Sequence, residues 1–340
     1  MDVFLLSLIV LCIVGIRLAP KRTVFNEKYL DTDHTNALRG LLCVLIVLDH
    51  SSLLTGCGYS VVFLKRVGPY VVALFYLLSS YGLMASYVKN GFKLKGFWKK
   101  RFFGTILPYL LFYIAAIMLR LALKEKLTLT SILLSFVNGH PLVVYSWFVI
   151  TIIIFYVVFY FSALLAKRDA TLLTVLVGFL LFFFVFVMKK LGFEEFWFNA
   201  AWAFPLGMLW NRVYPRISAS FRNHPWVYLS IFGSISIWWI IIAERFFWFG
   251  YLARLCSTMS LCVFILLFMF KIKIGNPILN FFGKISLGIY MSHGLIATAL
   301  PKFLSPEEQP YLFVALLVAG SILLAWLFDL GYGRLKKRVV

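Results

Sequence analysis

The 340-residue chain is too apolar for an ordinary soluble protein. Hydrophobic residues make up 62% and charged residues 14% of it, whereas soluble chains average about 45–50% apolar and about 25% charged. The net charge of +20 would suggest nucleic-acid binding in a soluble protein, but membrane proteins concentrate basic residues in cytoplasmic loops. We therefore predict an all-α protein that crosses the lipid bilayer many times and has no nucleic-acid partner.

Hydropathy predicts ten or eleven membrane spans. They cover residues 2–19, 38–57, 68–88, 102–123, 144–166, 170–188, 197–211, 226–243, 251–270, 278–300 and 311–331. The first lacks a basic leader, so we expect residues 1–20 to be a retained transmembrane helix rather than a signal peptide. Residues 131–137 are too short to span and predict a re-entrant or surface helix. Residues 211–226 and 332–340 are expected to form a cytoplasmic loop and a basic cytoplasmic tail.

The distribution of basic residues predicts the orientation. With the N-terminus outside and eleven spans, the cytoplasmic segments hold 22 of the 33 Lys and Arg residues and the outer segments hold ten. Since cytoplasmic loops carry the excess of Lys and Arg, the expected topology is N-terminus out and C-terminus in.

The second predicted span contains ionisable residues that an ordinary span avoids. His50 follows Arg39 by eleven residues, which on an α-helix separates them by about 16 Å and about 20° of rotation. Arg39 would lie at the cytoplasmic end and His50 near the middle of the membrane, on the same face of the helix. Such residues usually line a cavity or pathway, and imidazole suits proton transfer near neutral pH. The simpler alternatives are a snorkelling Arg39 and a packing histidine paired with Asp49.

Five segments carry a resemblance to one family of membrane enzymes. They are Arg39-Gly40 followed by His50, "GPYVVALFYLLSSYGLM" (68–84), "FWKKRFFGTILPYLL" (97–111), "SWFVITIIIFY" (146–156) and "FFGKISLGIYMSHGLI" (281–296). With these motifs in this order, residues 34–331 resemble the acyltransferase-3 family. Its members are integral-membrane acyltransferases, typically bacterial, that acylate cell-surface glycans.

The resemblance implies a chemistry and a location. An acyl group, by default acetyl, would pass from cytoplasmic acyl-CoA to a sugar hydroxyl of a surface glycan or lipid-linked saccharide, in the plasma membrane of a bacterium. His50 would be catalytic, either as a general base or as a transient acyl carrier, and Arg39 would contact the donor's phosphates or position its thioester. The remaining residues that we associate with the substrates are Asp49, Ser79, Trp147, Tyr290 and His293. No metal site is expected, because the cysteines lack paired spacing.

Two positions depart from the family pattern. Many members carry two arginines three residues apart in the basic segment, where this chain has Phe102 and Thr105. The basic residues immediately before them are Lys99, Lys100 and Arg101. We expect this shifted cluster to bind the phosphates of CoA, with lysine acting as a point charge, although a loop that only sets topology would look the same. Ser80 stands where the family has a glycine.

Two other functions remain open from the sequence. A transporter or polysaccharide exporter could use His50 and Asp49 as proton relays, although no repeated broken helices are apparent. A member of the other large family of membrane-bound O-acyltransferases would use His293 as its catalytic histidine, but the order of the motifs argues against it.

Overall fold

A computed structural model describes residues 2–19, 25–26, 29–56, 61–247 and 249–339, and the secondary structure is almost entirely helical. The helices are α1 (Asp2–Val14), α2 (Thr32–Thr55), α3 (Val61–Lys89), α4 (Phe97–Arg101), α5 (Leu107–Ala122), α6 (Leu129–Val137), α7 (Trp147–Ala166), α8 (Ala170–Lys190), α9 (Ala203–Asn223), α10 (Pro225–Ile237), α11 (Glu244–Phe246), α12 (Tyr251–Met269), α13 (Pro277–Lys284), α14 (Ser286–Ala299) and α15 (Pro310–Val339). Two π-helical segments (Phe102–Ile106, Trp238–Ala243), two 3-10 turns (Glu195–Trp197, Leu300–Lys302) and the strands β1 (Ile16–Leu18) and β2 (Ile272–Ile274) complete the fold.

The all-helical membrane fold is confirmed, with fewer long spans than expected. Within the described residues, seven helices are long and apolar enough to cross a membrane, or eight if α9 and α10 count as one bent span. The predicted count of ten or eleven is higher because hydropathy treats every apolar run as one straight helix. α6 is a separate short helix, as the length of its apolar run predicted.

The first predicted span does not form one continuous helix. α1 ends at Val14 and rises only about 20 Å, less than the roughly 30 Å of a bilayer core. Residues Ile16–Leu18 leave the helix and pair antiparallel with β2, Ile16 opposite Ile274. Hydropathy averages over side chains and cannot detect that these backbone groups bond to a strand far along the sequence.

The prediction that residues 211–226 form a loop is also wrong, because most of them are helical. α9 runs on to Asn223, and α10 begins at Pro225 after a bend of 116°. The bend falls at His224, whose backbone (φ −131°, ψ 73°) is not helical, since a following proline disfavours the α conformation. The predicted tenth span divides in the same manner, into α13 and α14 at Ile285, whose φ is −102° and ψ 15°. At the C-terminus, α15 extends through most of the predicted tail.

α2 carries both Arg39 and His50, as predicted. The Asp31 carboxylate accepts a hydrogen bond from the backbone N–H of His34 at 3.0 Å and so caps the start of α2. Gly56 ends the helix with a left-handed φ of 60°. The two functional candidates are thus fixed on one 24-residue helix.

α2 and α13 pack backbone to backbone through two glycines of the resembling motifs. A Cβ on Gly40 would lie 1.9 Å from the carbonyl oxygen of Leu279, and one on Gly283 would lie 1.8 Å from that of Asn36. Such small-residue crossings are the usual means of close helix packing in membranes. This crossing fixes the start of α14 beside the Arg39 end of α2.

A glycine also allows close packing where α3 crosses α9. Here the glycine is on α9, whereas the family pattern places it on α3, at the position of Ser80. A Cβ on Gly207 would lie 2.2 Å from Ser80 Oγ and 2.3 Å from the carbonyl oxygen of Leu77. Ser80 is fully buried and donates to Leu77 O at 3.0 Å. The departure at Ser80 is therefore accommodated by the missing side chain of Gly207.

Candidate functional site

His50 lies in the wall of a cavity of about 580 Å³. We call it the His50 cavity; its lining includes His50, Asp49, Tyr145, Trp147, Glu194, Phe196, Asn199 and Tyr290. α2, the start of α7, α14 and the segments before α7 and α9 supply these residues. The lining combines aromatic rings with a small number of polar groups, as ligand sites commonly do.

The imidazole of His50 is paired with that of His293 on α14. His50 Nδ1 and His293 Nε2 form a hydrogen bond of 2.8 Å, and His293 is fully buried. The second ring nitrogen of His293, Nδ1, has no hydrogen-bond partner among the described residues. One of the two facing nitrogens, His50 Nδ1 or His293 Nε2, therefore donates and the other accepts.

Asp49 is held by the neighbouring helix α3. Its Oδ1 accepts a hydrogen bond from the backbone N–H of Gly68 at 3.1 Å, while its Oδ2 lies 3.8 Å from His50 Nε2. A side chain on Gly68 would crowd this carboxylate, because its Cβ would lie 3.0 Å from Asp49 Oδ2. The free nitrogen of His50 and the Asp49 carboxylate therefore border the cavity together, too far apart for a direct hydrogen bond.

A second cavity, of about 380 Å³, lies on the Arg39 side. We call it the Arg39 cavity; its lining includes Arg39, Phe75, Ser79, Arg101, Thr105, Phe148, Ile152, Tyr156, Ser286 and Tyr290. No acidic side chain lines it within the described residues, and neither arginine forms an ion pair in that part of the chain. Two cations without counter-charges favour an anionic ligand.

Arg101, the last residue of α4, lines this cavity immediately before the π-helical segment. Thr105, which stands where the family has an arginine, also lines the cavity. Arg101, one helical turn earlier, supplies positive charge to the same cavity. Arg101 lies 4.9 Å from the ring centroid of Tyr156, and the Tyr156 hydroxyl is 3.1 Å from Ser79 Oγ. π-helical turns recur at functional sites because they change which side chains share a face.

Lys99 and Lys100 occupy different positions from Arg101. Lys100 lines a narrow cleft with Arg101, Lys93 and Lys95 that shares Arg101 with the Arg39 cavity. Lys99 is exposed and lines none of the five cavities described. Of the predicted cluster, Lys100 and Arg101 therefore line a cavity, whereas Lys99 does not.

Tyr290 separates the two cavities and lines both. Its ring lies edge-on to His293 at 5.3 Å between centroids and to Phe148 at 5.4 Å. Its hydroxyl donates a hydrogen bond to the carbonyl oxygen of Tyr145. The cationic cavity and the histidine pair are therefore separated by roughly one aromatic side chain.

Most of the residues proposed from sequence come together in this region. Arg39, Ser79 and Arg101 meet in the Arg39 cavity, and Asp49, His50 and Trp147 in the His50 cavity. Sequence reasoning missed several lining residues of the His50 cavity, of which Tyr145, Glu194 and Asn199 carry polar groups. They lie in connecting segments, where no periodic pattern singles out a residue. In the described part of the chain, no group of three or more His, Cys, Asp or Glu residues is placed to hold a metal ion.

Fold and site together define a multi-pass membrane protein with a buried histidine pair next to a cationic cavity. A family model of the acyltransferase-3 type, described as an acyltransferase domain, matches residues 32–330. The chain belongs to this family of membrane acyltransferases, and not to the other family for which His293 alone would be catalytic. No curated protein and no solved structure matched the chain.

Proposed function

We propose that this protein transfers an acyl group, acetyl by default, from cytoplasmic acyl-CoA to a sugar hydroxyl of a cell-surface glycan or lipid-linked saccharide. The plasma membrane of a bacterial cell is its proposed location. One observation carries the proposal: Tyr290 lines both the Arg39 cavity, whose two arginines form no ion pair among the described residues, and the His50 cavity, where His50 is the partner of His293. This arrangement suits a reaction whose anionic donor and polar acceptor approach one base from opposite sides.

The Arg39 cavity is the proposed site of the donor. Arg39 and Arg101 offer positive charge to its phosphate groups, while Phe75, Phe148 and Ile152 provide an apolar wall for the arm that carries the thioester. Lys100, in the adjoining cleft, would act as a point charge at the periphery. Lys99 has no part in this proposal, since it lines none of the five cavities described.

The His50 cavity is the proposed site of the acceptor. Trp147 and Phe196, whose rings lie 5.2 Å apart, offer an apolar surface to a sugar ring. Asn199 is buried, and its side-chain Oδ1 has no hydrogen-bond partner among the described residues. A hydroxyl-rich ligand would satisfy that atom, because a buried polar group without a partner is costly.

The geometry supports His50 as a general base. In the proposed tautomer, His50 Nδ1–H donates to His293 Nε2, so Nε2 of His50 presents its lone pair to the cavity. The acceptor hydroxyl gives its proton to His50 Nε2 as its oxygen attacks the thioester carbonyl. The carbon–sulfur bond then breaks, and the CoA sulfur takes up that proton as it leaves. The Asp49 carboxylate, 3.8 Å from Nε2, stabilises the imidazolium formed in between. General base catalysis of this kind contributes typically about 10²–10⁴-fold in rate.

Mass spectrometry of surface glycans tests the proposal. Cells express the wild-type protein, His50→Ala, or the control His224→Ala, which removes an exposed histidine between α9 and α10, at matched membrane levels. We expect the same ester with wild type and control and none with His50→Ala; its mass identifies the acyl group. Equal esterification with His50→Ala would show that His50 is not the catalyst. Altered glycan export without any ester would favour a proton-coupled transporter.

A further inference from the structure

Tyr145, which no sequence motif singled out, lies directly on the ring of His50. The two ring centroids are 3.7 Å apart and the planes differ by 8°. The His293 ring is parallel to both, at 9° from His50 and 5° from Tyr145. Such near-parallel alignment restricts rotation of the imidazole out of the plane in which it bonds to His293.

The backbone at Tyr145 is held in an unusual conformation. Its φ is 66°, in the left-handed region that bulky residues rarely adopt. Such a conformation persists only where the surroundings impose it, and it clusters at functional sites. The preceding Gly139 is also left-handed, at φ 74°, so the whole segment before α7 is irregular.

Two contacts with α14 impose this conformation. The Tyr290 hydroxyl donates to the carbonyl oxygen of Tyr145. One turn further along α14, Gly294 allows the chain to approach, because a Cβ there would lie 2.3 Å from the carbonyl oxygen of Val144. α14 therefore carries both His293, the partner of His50, and the contacts that hold Tyr145 against His50.

We propose that Tyr145 is a positioning residue: its ring, held by Tyr290 and Gly294, keeps the His50 imidazole in the orientation in which Nδ1 meets His293 and Nε2 faces the acceptor. The proposal rests on the proposed function of His50 as the base. Without the ring, the imidazole can rotate about its Cβ–Cγ bond, which breaks the bond to His293 and turns Nε2 away from the hydroxyl. The ring stack, and not the Tyr145 hydroxyl, performs this role.

Steady-state kinetics with three variants tests the proposal. Tyr145→Gly removes the ring, and glycine adopts φ 66° readily, so this variant adds no backbone strain. Tyr145→Phe keeps the ring. Tyr228→Ala is the control for loss of a buried tyrosine, because Tyr228 bonds to Leu267 O and lines none of the five cavities described. The purified proteins are reconstituted in nanodiscs with acetyl-CoA and a surface-glycan fraction from the expressing cells, and thiol release is measured.

We expect Tyr145→Gly to lower kcat by about 10- to 100-fold with little change in KM for either substrate, since misplacing a reacting group has effects of this size. Tyr145→Phe should retain most of kcat. A raised KM for the glycan with unchanged kcat would overturn the proposal, because Tyr145 would then be a contact for the acceptor. An equal loss in Tyr145→Phe would overturn it too, because the hydroxyl would then be the essential group.

Chemical modification of His50 tests the positioning role of Tyr145 separately from the proposed role of His50 as the base. Diethyl pyrocarbonate modifies unprotonated imidazole nitrogens, and peptide mass spectrometry locates the adduct. We expect faster modification of His50 in Tyr145→Gly than in wild type, and the wild-type rate in Tyr145→Phe. An unchanged rate in Tyr145→Gly would refute positioning by Tyr145. If His50→Ala retains activity, the proposed base is wrong, yet the labelling still decides whether Tyr145 orients His50.

Discussion

His293→Ala isolates the contribution of the histidine pair. The variant leaves the Nδ1–H of His50, a buried side chain, without the acceptor that it now reaches at 2.8 Å. An unsatisfied buried donor costs about 1–3 kcal/mol, and each 1.36 kcal/mol corresponds to tenfold in rate. His50 avoids this cost only if its imidazole turns away from the sugar hydroxyl of the substrate. In that case kcat falls by about 5- to 150-fold. KM should change little, because His293 lines neither cavity.

The assay is the same thiol-release measurement in nanodiscs, with two further variants. His293→Gln offers an amide oxygen as acceptor for His50 Nδ1–H and should recover part of the lost rate. The double variant His50→Ala/His293→Ala should be no slower than His50→Ala, because His293 acts only through His50. An unchanged kcat in His293→Ala would refute the reasoning, and so would a double variant with clearly additive losses.

Two further predictions concern the donor site and the packing that supports it. Arg39→Lys should raise KM for acetyl-CoA more than it lowers kcat, since lysine keeps the charge but loses the planar fork of the guanidinium. The control Lys99→Ala changes a basic residue that lines no described cavity and should leave KM and kcat unchanged. An unchanged KM in Arg39→Lys would show that Arg39 is not part of the donor site. Gly283→Ala should destabilise the protein by about 1–3 kcal/mol through overpacking, because its Cβ would lie 1.8 Å from Asn36 O. Gly178→Ala on α8 should not destabilise the protein, because nothing outside its own helix backbone lies within 4 Å of the added Cβ. The thermal unfolding midpoints of both variants are measured in detergent, and equal midpoints would contradict the close crossing of α2 and α13.

The motif residues divide between those that line cavities and those that pack helices together. Arg39 and His50 border cavities, whereas Gly40, between them on α2, allows α13 to approach. Gly283, from a motif more than 200 residues later, makes the reciprocal contact on the same crossing. The motif glycines therefore determine, in part, which helices pack closely, and this packing allows α14 to bring His293 to His50.

The sequence by itself determined the helical membrane class, the single helix that carries Arg39 and His50, and the acyltransferase family, because composition, helical spacing and motif order are local properties of the chain. It could not determine that α9 continues through a predicted loop or that Ile16–Leu18 pairs with β2, since hydropathy carries no information about distant backbone partners. The tertiary structure alone decided the rest of the site. Arg101 lines the Arg39 cavity from the end of α4, Tyr290 lines both cavities, and Tyr145 stacks on His50 from an irregular segment. These relations depend on contacts between residues far apart in the sequence, which only the packing of the helices creates.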